Sequence, residues 1–232
     1  MADLDASVSH IVVFSSGRIC PSAVDRGPLG AVSESVSALV AFAAVMSFTP
    51  GPNNVMVTAS GANFGLRRSW PHIFGITVGF AVMIAILGFG AAGLFLAFPQ
   101  IHLALKWVGA AYLLWLAWRI GTAGRTQIEG GRVRPLTFLE AAAFQWLNPK
   151  GWVFAAGALS AFTTMGGDLI GEVATITGVI AVACMAATTT WCAFGVAIGR
   201  VLRSDRAMAA FNWSMAALLA ASIAASAMAD SG

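Results

Sequence analysis

Two short stretches of this chain bring polar and helix-breaking groups into the middle of apolar sequence. The first is Ser47-Phe48-Thr49-Pro50-Gly51-Pro52-Asn53-Asn54, centred in the apolar run Val36 to Phe64. The second is Gln145-Trp146-Leu147-Asn148-Pro149-Lys150-Gly151, centred in the run Phe138 to Phe162. Proline removes a backbone donor and its ring clashes with a carbonyl one turn earlier, so neither run can be one unbroken helix. Proline does suit a first helical turn. Second half-helices can therefore begin at Pro52 and Pro149, leaving the N–H groups of Asn53, Asn54 and Val55, for example, without partners. Such a terminus carries partial positive charge and favours an anion. Lys150 adds a full charge, and an ionisable group at that depth points to function. A different reading makes Asn148-Pro149-Lys150-Gly151 a turn between two short interfacial helices. Against it, neither flank reaches the ~17 residues a span needs.

Composition says what surrounds these stretches. Of 232 residues, 58% are hydrophobic and 10% charged, and mean hydropathy is +0.80. A soluble domain carries about 25% charged residues, so an integral membrane protein is expected. In hydrocarbon a broken helix is tolerable only where the freed groups are buried in protein or line a wet cavity. The three cysteines, Cys20, Cys184 and Cys192, form no C-x-x-C pair. A disulfide scaffold, a zinc site and a thiol relay are not expected, and no cofactor or metal is implied. His10, His72 and His102 are scattered through the extension and near span ends, where interface or tail positions are expected rather than a catalytic cluster.

Six spans follow from the apolar runs. The first, Val36 to Phe64, closes in the basic turn Gly65-Leu66-Arg67-Arg68. The second, Ile73 to Phe98, carries Gly75-x-x-x-Gly79, a helix-packing face, and ends in a hairpin at Phe98-Pro99-Gln100. The third, Ile101 to Ile120, has Trp107, Tyr112, Trp115 and Trp118 as interface anchors, with Lys106 placed to snorkel. The fourth is the broken run Phe138 to Phe162. The fifth, Leu169 to Gly199, contains Thr188-Thr189-Thr190-Trp191, whose threonines are expected to bond back to their own helix. The sixth is Met208 to Met228. Arginines follow spans one (Arg67, Arg68), three (Arg119, Arg125, Arg132, Arg134) and five (Arg200, Arg203, Arg206), and none follows spans two and four. The positive-inside rule then places those loops in the cytoplasm and both termini in the periplasm. Arg18 and Arg26 run against that orientation.

The expected architecture is an all-α integral membrane protein of six transmembrane helices, arranged as two inverted three-helix repeats. The first helix of each repeat is broken at proline. Residues 1–31 read as a disordered extension, compatible with a start assigned upstream of the native one. Residues 32–121 form the first repeat, 122–137 a cytoplasmic linker, and 138–232 the second repeat. Paired interrupted segments at corresponding positions of two inverted halves point to a transporter's binding site.

Three motifs add a resemblance. Thr49-Pro50-Gly51-Pro52-Asn53-Asn54, the run Leu105-Lys106-Trp107-Val108-Gly109-Ala110-Ala111-Tyr112-Leu113-Leu114-Trp115-Leu116, and Leu147-Asn148-Pro149-Lys150 resemble the LysE/RhtB family of amino-acid exporters. The likeness covers Ser35 to the C-terminus, with the elements in the same order. It implies a six-span efflux carrier of the bacterial inner membrane that expels amino acids or analogues in exchange for protons. One departure matters. Many members carry an acid after the glycine pair of the second span, where this chain has Phe80. With no Asp or Glu near mid-membrane, a neutral amino acid is expected rather than a dibasic one.

The resulting site expectation comprises Pro50, Gly51, Pro52, Asn53, Asn54, Gln145, Asn148, Pro149 and Lys150. The substrate carboxylate would lie between the two half-helix N-termini, beside Lys150. Carbonyls from Met46 to Thr49 and from Gln145 to Asn148 would accept from its ammonium. Proton loss from Lys150 would weaken carboxylate binding and couple export to the proton gradient. The expected partners are an amino acid, protons and the lipid bilayer, with no nucleic acid; the small-residue faces permit a homodimer. An enzyme is not expected. The alternatives are a channel or pore, or a carrier for another small zwitterion or ion.

Overall fold

The computed structural model describes residues 28–91, 99–123, 134–164, 166–202 and 204–229. The N-terminal extension up to residue 27 (with His10, Cys20, Arg18 and Arg26), the hairpin at Phe98, the linker residues Arg125 and Arg132, and Arg203 lie outside them, as do the side chains of His102 and Lys106. The helices are α1 (Pro28–Phe48), α2 (Pro52–Ile86), α3 (Pro99–Gly121), α4 (Phe138–Phe144), α5 (Pro149–Phe162), α6 (Leu169–Val201) and α7 (Asp205–Ala229). A π-helical turn, Leu87–Ala91, extends α2, and a 3-10 turn, Gln145–Leu147, extends α4. Among the described residues there is no strand.

Helix α2 counts 35 residues, which would run about 52 Å if straight, far beyond a hydrocarbon core of about 30 Å. It folds back instead. Gly65 has φ 78° and ψ 165°, a region open to glycine because it lacks a Cβ. Ser60 and Ser69, nine positions apart, consequently share a 2.7 Å hydrogen bond; a straight helix would hold them about 13 Å apart. The expected basic turn is thus a reversal at Gly65 alone. Arg67 and Arg68 already belong to the second arm (66–86) and are exposed. The expected second span, Ile73 to Phe98, is regular α-helix only to Ile86, and the π turn then carries Gly90 at φ 108°. The reversal also explains His72. Expected at the interface, it is 1% exposed instead, because folding back at Gly65 carries the start of the second arm into the bundle.

Small residues let these helices touch backbone to backbone. A Cβ added at Gly61 would strike the Cys192 carbonyl, one at Gly195 the Thr58 carbonyl, and one at Gly199 the Ala62 carbonyl. The first arm of α2 (52–64) is thereby locked along α6. Gly75 and Gly79 meet Phe138 and Ala142 of α4 in the same way, so the expected packing face is filled from within the chain. The core joins Ile73, Ile76, Met83 and Ile84 of the second arm to Phe144, Ala155, Ile176 and Ile180. Helices α3 and α7 pair through Trp118 and Trp213, whose rings are 6.1 Å apart. In lipid such packing, rather than expulsion of water, holds helices together. Val45, Leu139, Val153, Val182 and Val201 are exposed, an exterior suited to hydrocarbon. Pro52–Gly90 and Leu169–Val201 are long and apolar enough to cross a membrane.

Candidate functional site

The first break leaves Thr49, Pro50 and Gly51 outside helix, with Gly51 fully extended and Pro52 opening α2. Pro50 and Pro52 have no N–H, so the carbonyls of Met46 and Phe48 lose their normal partners, and the break strands those of Ser47 and Thr49. Side chains replace the missing donors. Asn54 Nδ2 donates to Ser47 O and Thr49 O, both at 2.9 Å. Trp191 Nε1, from α6, donates to Phe48 O at 3.2 Å. Lys150 Nζ, from the second break, donates to Thr49 O. Three of the four first-break carbonyls expected to receive a ligand's ammonium are therefore already engaged from within the protein, one of them by a protein ammonium, and at the second break those of Gln145, Trp146 and Asn148 are engaged too.

The second break is tighter. Helix α4 opens in a capping box between Thr137 and Glu140, and Glu140 also takes a two-pronged contact from Arg134, at 2.7 and 2.8 Å. After the 3-10 turn only Asn148 leaves helical geometry, with φ −88° and ψ 106°, before Pro149 opens α5. Its carbonyl accepts from Gly151 N at 2.9 Å. Gln145 is wholly buried. It exchanges two amide hydrogen bonds with Asn53, of 2.9 and 3.3 Å, and donates to Ala141 O at 2.8 Å. The two breaks are in direct contact. A Cβ added at Gly51 would lie 2.6 Å from Lys150 Cδ.

Between the breaks is a cavity of about 400 Å³, counting its open mouth. Of the nine residues expected from sequence, Gly51, Asn53, Asn54, Gln145, Asn148 and Lys150 line it; Pro50, Pro52 and Pro149 set the backbone around it without entering the lining. Met46, Ser47, Phe80, Phe154, Cys184 and Thr188 complete the wall with Gly151. Phe80 lies against Phe154 with ring centres 5.2 Å apart and planes tilted by 46°, an aromatic wall at the position noted for its missing acid. Thr188 bonds back to Cys184 O at 2.7 Å, as threonines in helices do, yet it also faces the cavity. Ser47 Oγ and Asn148 Oδ1 are buried without a partner. Lys150 is the charged residue of the lining, and no carboxylate joins it. The arrangement can hold a small molecule bearing an anionic group.

Residues 44–230 match the family described as LysE type translocator. A cysteine/O-acetylserine efflux protein of Escherichia coli (strain K12) is 32% identical over 127 residues, or 55% of this chain and 65% of that protein. Proteins of the same description from Shigella flexneri serotype 5b and Shigella sonnei match to the same extent. The chain thus spans just under two thirds of the length of these curated relatives. No solved structure matches it.

Proposed function

The chain belongs to the LysE type translocator family, and from that membership we propose that it is a carrier exporting neutral amino acids or close analogues across the bacterial inner membrane. The observation that carries this reading is the meeting of the two broken rods. Lys150 of one reaches Thr49 O of the other beside a cavity without an acid. An arriving carboxylate draws Lys150 off Thr49 O, which keeps its bond from Asn54. The substrate's ammonium then takes the vacated side of Thr49 O, with Asn148 Oδ1 and Ser47 Oγ close by in the lining. A substrate with a second positive charge would meet Lys150 and no counter-charge, which favours a neutral side chain. The relatives' descriptions name cysteine and O-acetylserine, both neutral amino acids, and these lead the list to test.

In this proposal residues 32–121 and 138–232 form two inverted three-helix repeats. The basic loops face the cytoplasm, both termini face the periplasm, and transport is rocking of the repeats about the site. Protonated Lys150 holds the cargo carboxylate and neutral Lys150 does not, so cargo binding weakens as this residue loses its proton and counterflow depends on pH. Counterflow of labelled neutral and dibasic amino acids in proteoliposomes, at two pH values either side of neutral, tests the reading. Saturable, pH-dependent counterflow of neutral substrates is expected. Non-saturable flux would identify a pore, and the absence of flux for every amino acid would remove the proposal.

A further inference from the structure

A second cavity, of about 490 Å³ counting its mouth, adjoins the other end of the arm 52–64. Asn54 faces the central cavity and Asn63 faces this one, about 13 Å apart along the helix axis. Its inner wall is apolar, formed by Met56 and Leu116, both buried. Its rim is basic. Arg119 and Arg134 line it, and Arg68 lies 5.7 Å from the ring of Phe64, another lining residue.

The rim's cations are not equivalent. Arg134 is held by Glu140 through both prongs. Arg119 instead lies over the ring of Trp115, 4.9 Å from its centre, and no hydrogen bond or ion pair engages it among the described residues. Stacking uses the face of a guanidinium and leaves its N–H edge for a planar anion. A carboxylate fits that edge through two parallel hydrogen bonds. An independent observation concerns His72. It lies in the wall, 1% exposed, and neither ring nitrogen has a partner. A buried imidazole with both nitrogens unsatisfied is costly, and a polar guest in the cavity would supply a partner.

We propose that this cavity is an intake vestibule, in which the carboxylate of a neutral amino acid is first captured by Arg119 before passing to the central site. The inference rests on the exporter reading. The concentration of positive charge at the rim raises the local concentration of carboxylates, and the apolar Met56–Leu116 wall accepts a small side chain. Asn63 and Asn54, about two and a half turns apart, project from opposite faces of the shared arm, so cargo would pass from the vestibule to the central site as the repeats rock.

The test measures KM separately from each membrane face. Inside-out and right-side-out vesicles are supplied with whichever neutral amino acid gives counterflow. Arg119→Gln is expected to raise KM about tenfold or more, the loss of a charged hydrogen bond, from the face bearing Arg67 and Arg68 only. Detailed balance ties Vmax/KM of the two directions together, so from the opposite face the same loss reads as a lower maximal rate at unchanged KM. Arg119→Lys, which keeps the charge but not the fork, raises the same KM by a smaller factor and serves if the glutamine variant does not reach the membrane. An unchanged KM at both faces, or an equal rise at both, overturns the vestibule while leaving the central site standing. An effect that disappears in vesicles of uncharged lipid assigns the cavity to an anionic headgroup and overturns it too. If the unmodified protein moves no amino acid from either face, the exporter reading fails and takes the vestibule with it.

Discussion

Replacing Lys150 separates its two roles, as a structural donor and as a ligand for cargo. Its ammonium bonds Thr49 O, but that carbonyl also accepts from Asn54 at 2.9 Å. Lys150→Met therefore orphans no backbone group, and the side chain's apolar stem survives in methionine. The expected cost in stability is small, under about 1 kcal/mol for a bond whose acceptor stays satisfied. Binding should suffer far more. A hydrogen bond between a charged donor and a carboxylate contributes about 1.5–3 kcal/mol, and each 1.4 kcal/mol is about tenfold in affinity. Equilibrium binding of a labelled neutral amino acid to the purified protein should weaken by about 10- to 100-fold, with the detergent melting curve nearly unmoved. Lys150→Arg separates charge from titration. Its guanidinium remains protonated at any working pH, so cargo binding is partly retained while counterflow loses its pH dependence. Unchanged affinity in Lys150→Met, or an unchanged pH profile in Lys150→Arg, would refute the assignment of carboxylate capture and its pH dependence to this residue.

Two further outcomes test the architecture. Asn54→Leu keeps the branched shape but removes donors from Ser47 O and Thr49 O, and should destabilise the protein by about 1–3 kcal/mol, visible as earlier thermal unfolding in detergent. Gly195→Leu drives a side chain into the Thr58 carbonyl and should cost about 1–3 kcal/mol or more by overpacking. Gly178→Leu on the same helix is the control and should be silent, since an added Cβ there meets nothing within 4 Å.

The broken rods were legible because proline acts locally. Pro50, Pro52 and Pro149 forbid continuous helix whatever surrounds them, and six of the nine residues picked around them line one cavity. The part of the lining outside these two stretches was hidden because it comes from regular helix. Cys184 and Thr188 sit in unbroken α6, and their facing depends on how α6 lies against α2, which no local pattern encodes. Trp191 looked like one more aromatic in a span, and only the fold brings its indole to the carbonyl that Pro52 stranded. His72 misled for a related reason. Beside Trp70 and Pro71 it has the composition of a membrane interface, but a single glycine with positive φ turns it inward. Within the second span, no local pattern marked the π turn at Leu87–Ala91, where Gly90 takes a positive φ and bends the chain.

The lock between the arm 52–64 and α6 has a mechanical consequence. Gly61, Gly195 and Gly199 each abut a backbone carbonyl of the opposing helix, leaving no side chains between the two axes to reshuffle as they slide. That arm belongs by sequence to the first half of the chain and α6 to the second, so this seam of backbone contacts runs between the two repeats. Rocking of the repeats would pivot on the seam, with the three-residue gap at Thr49–Gly51 the place where the first rod can bend.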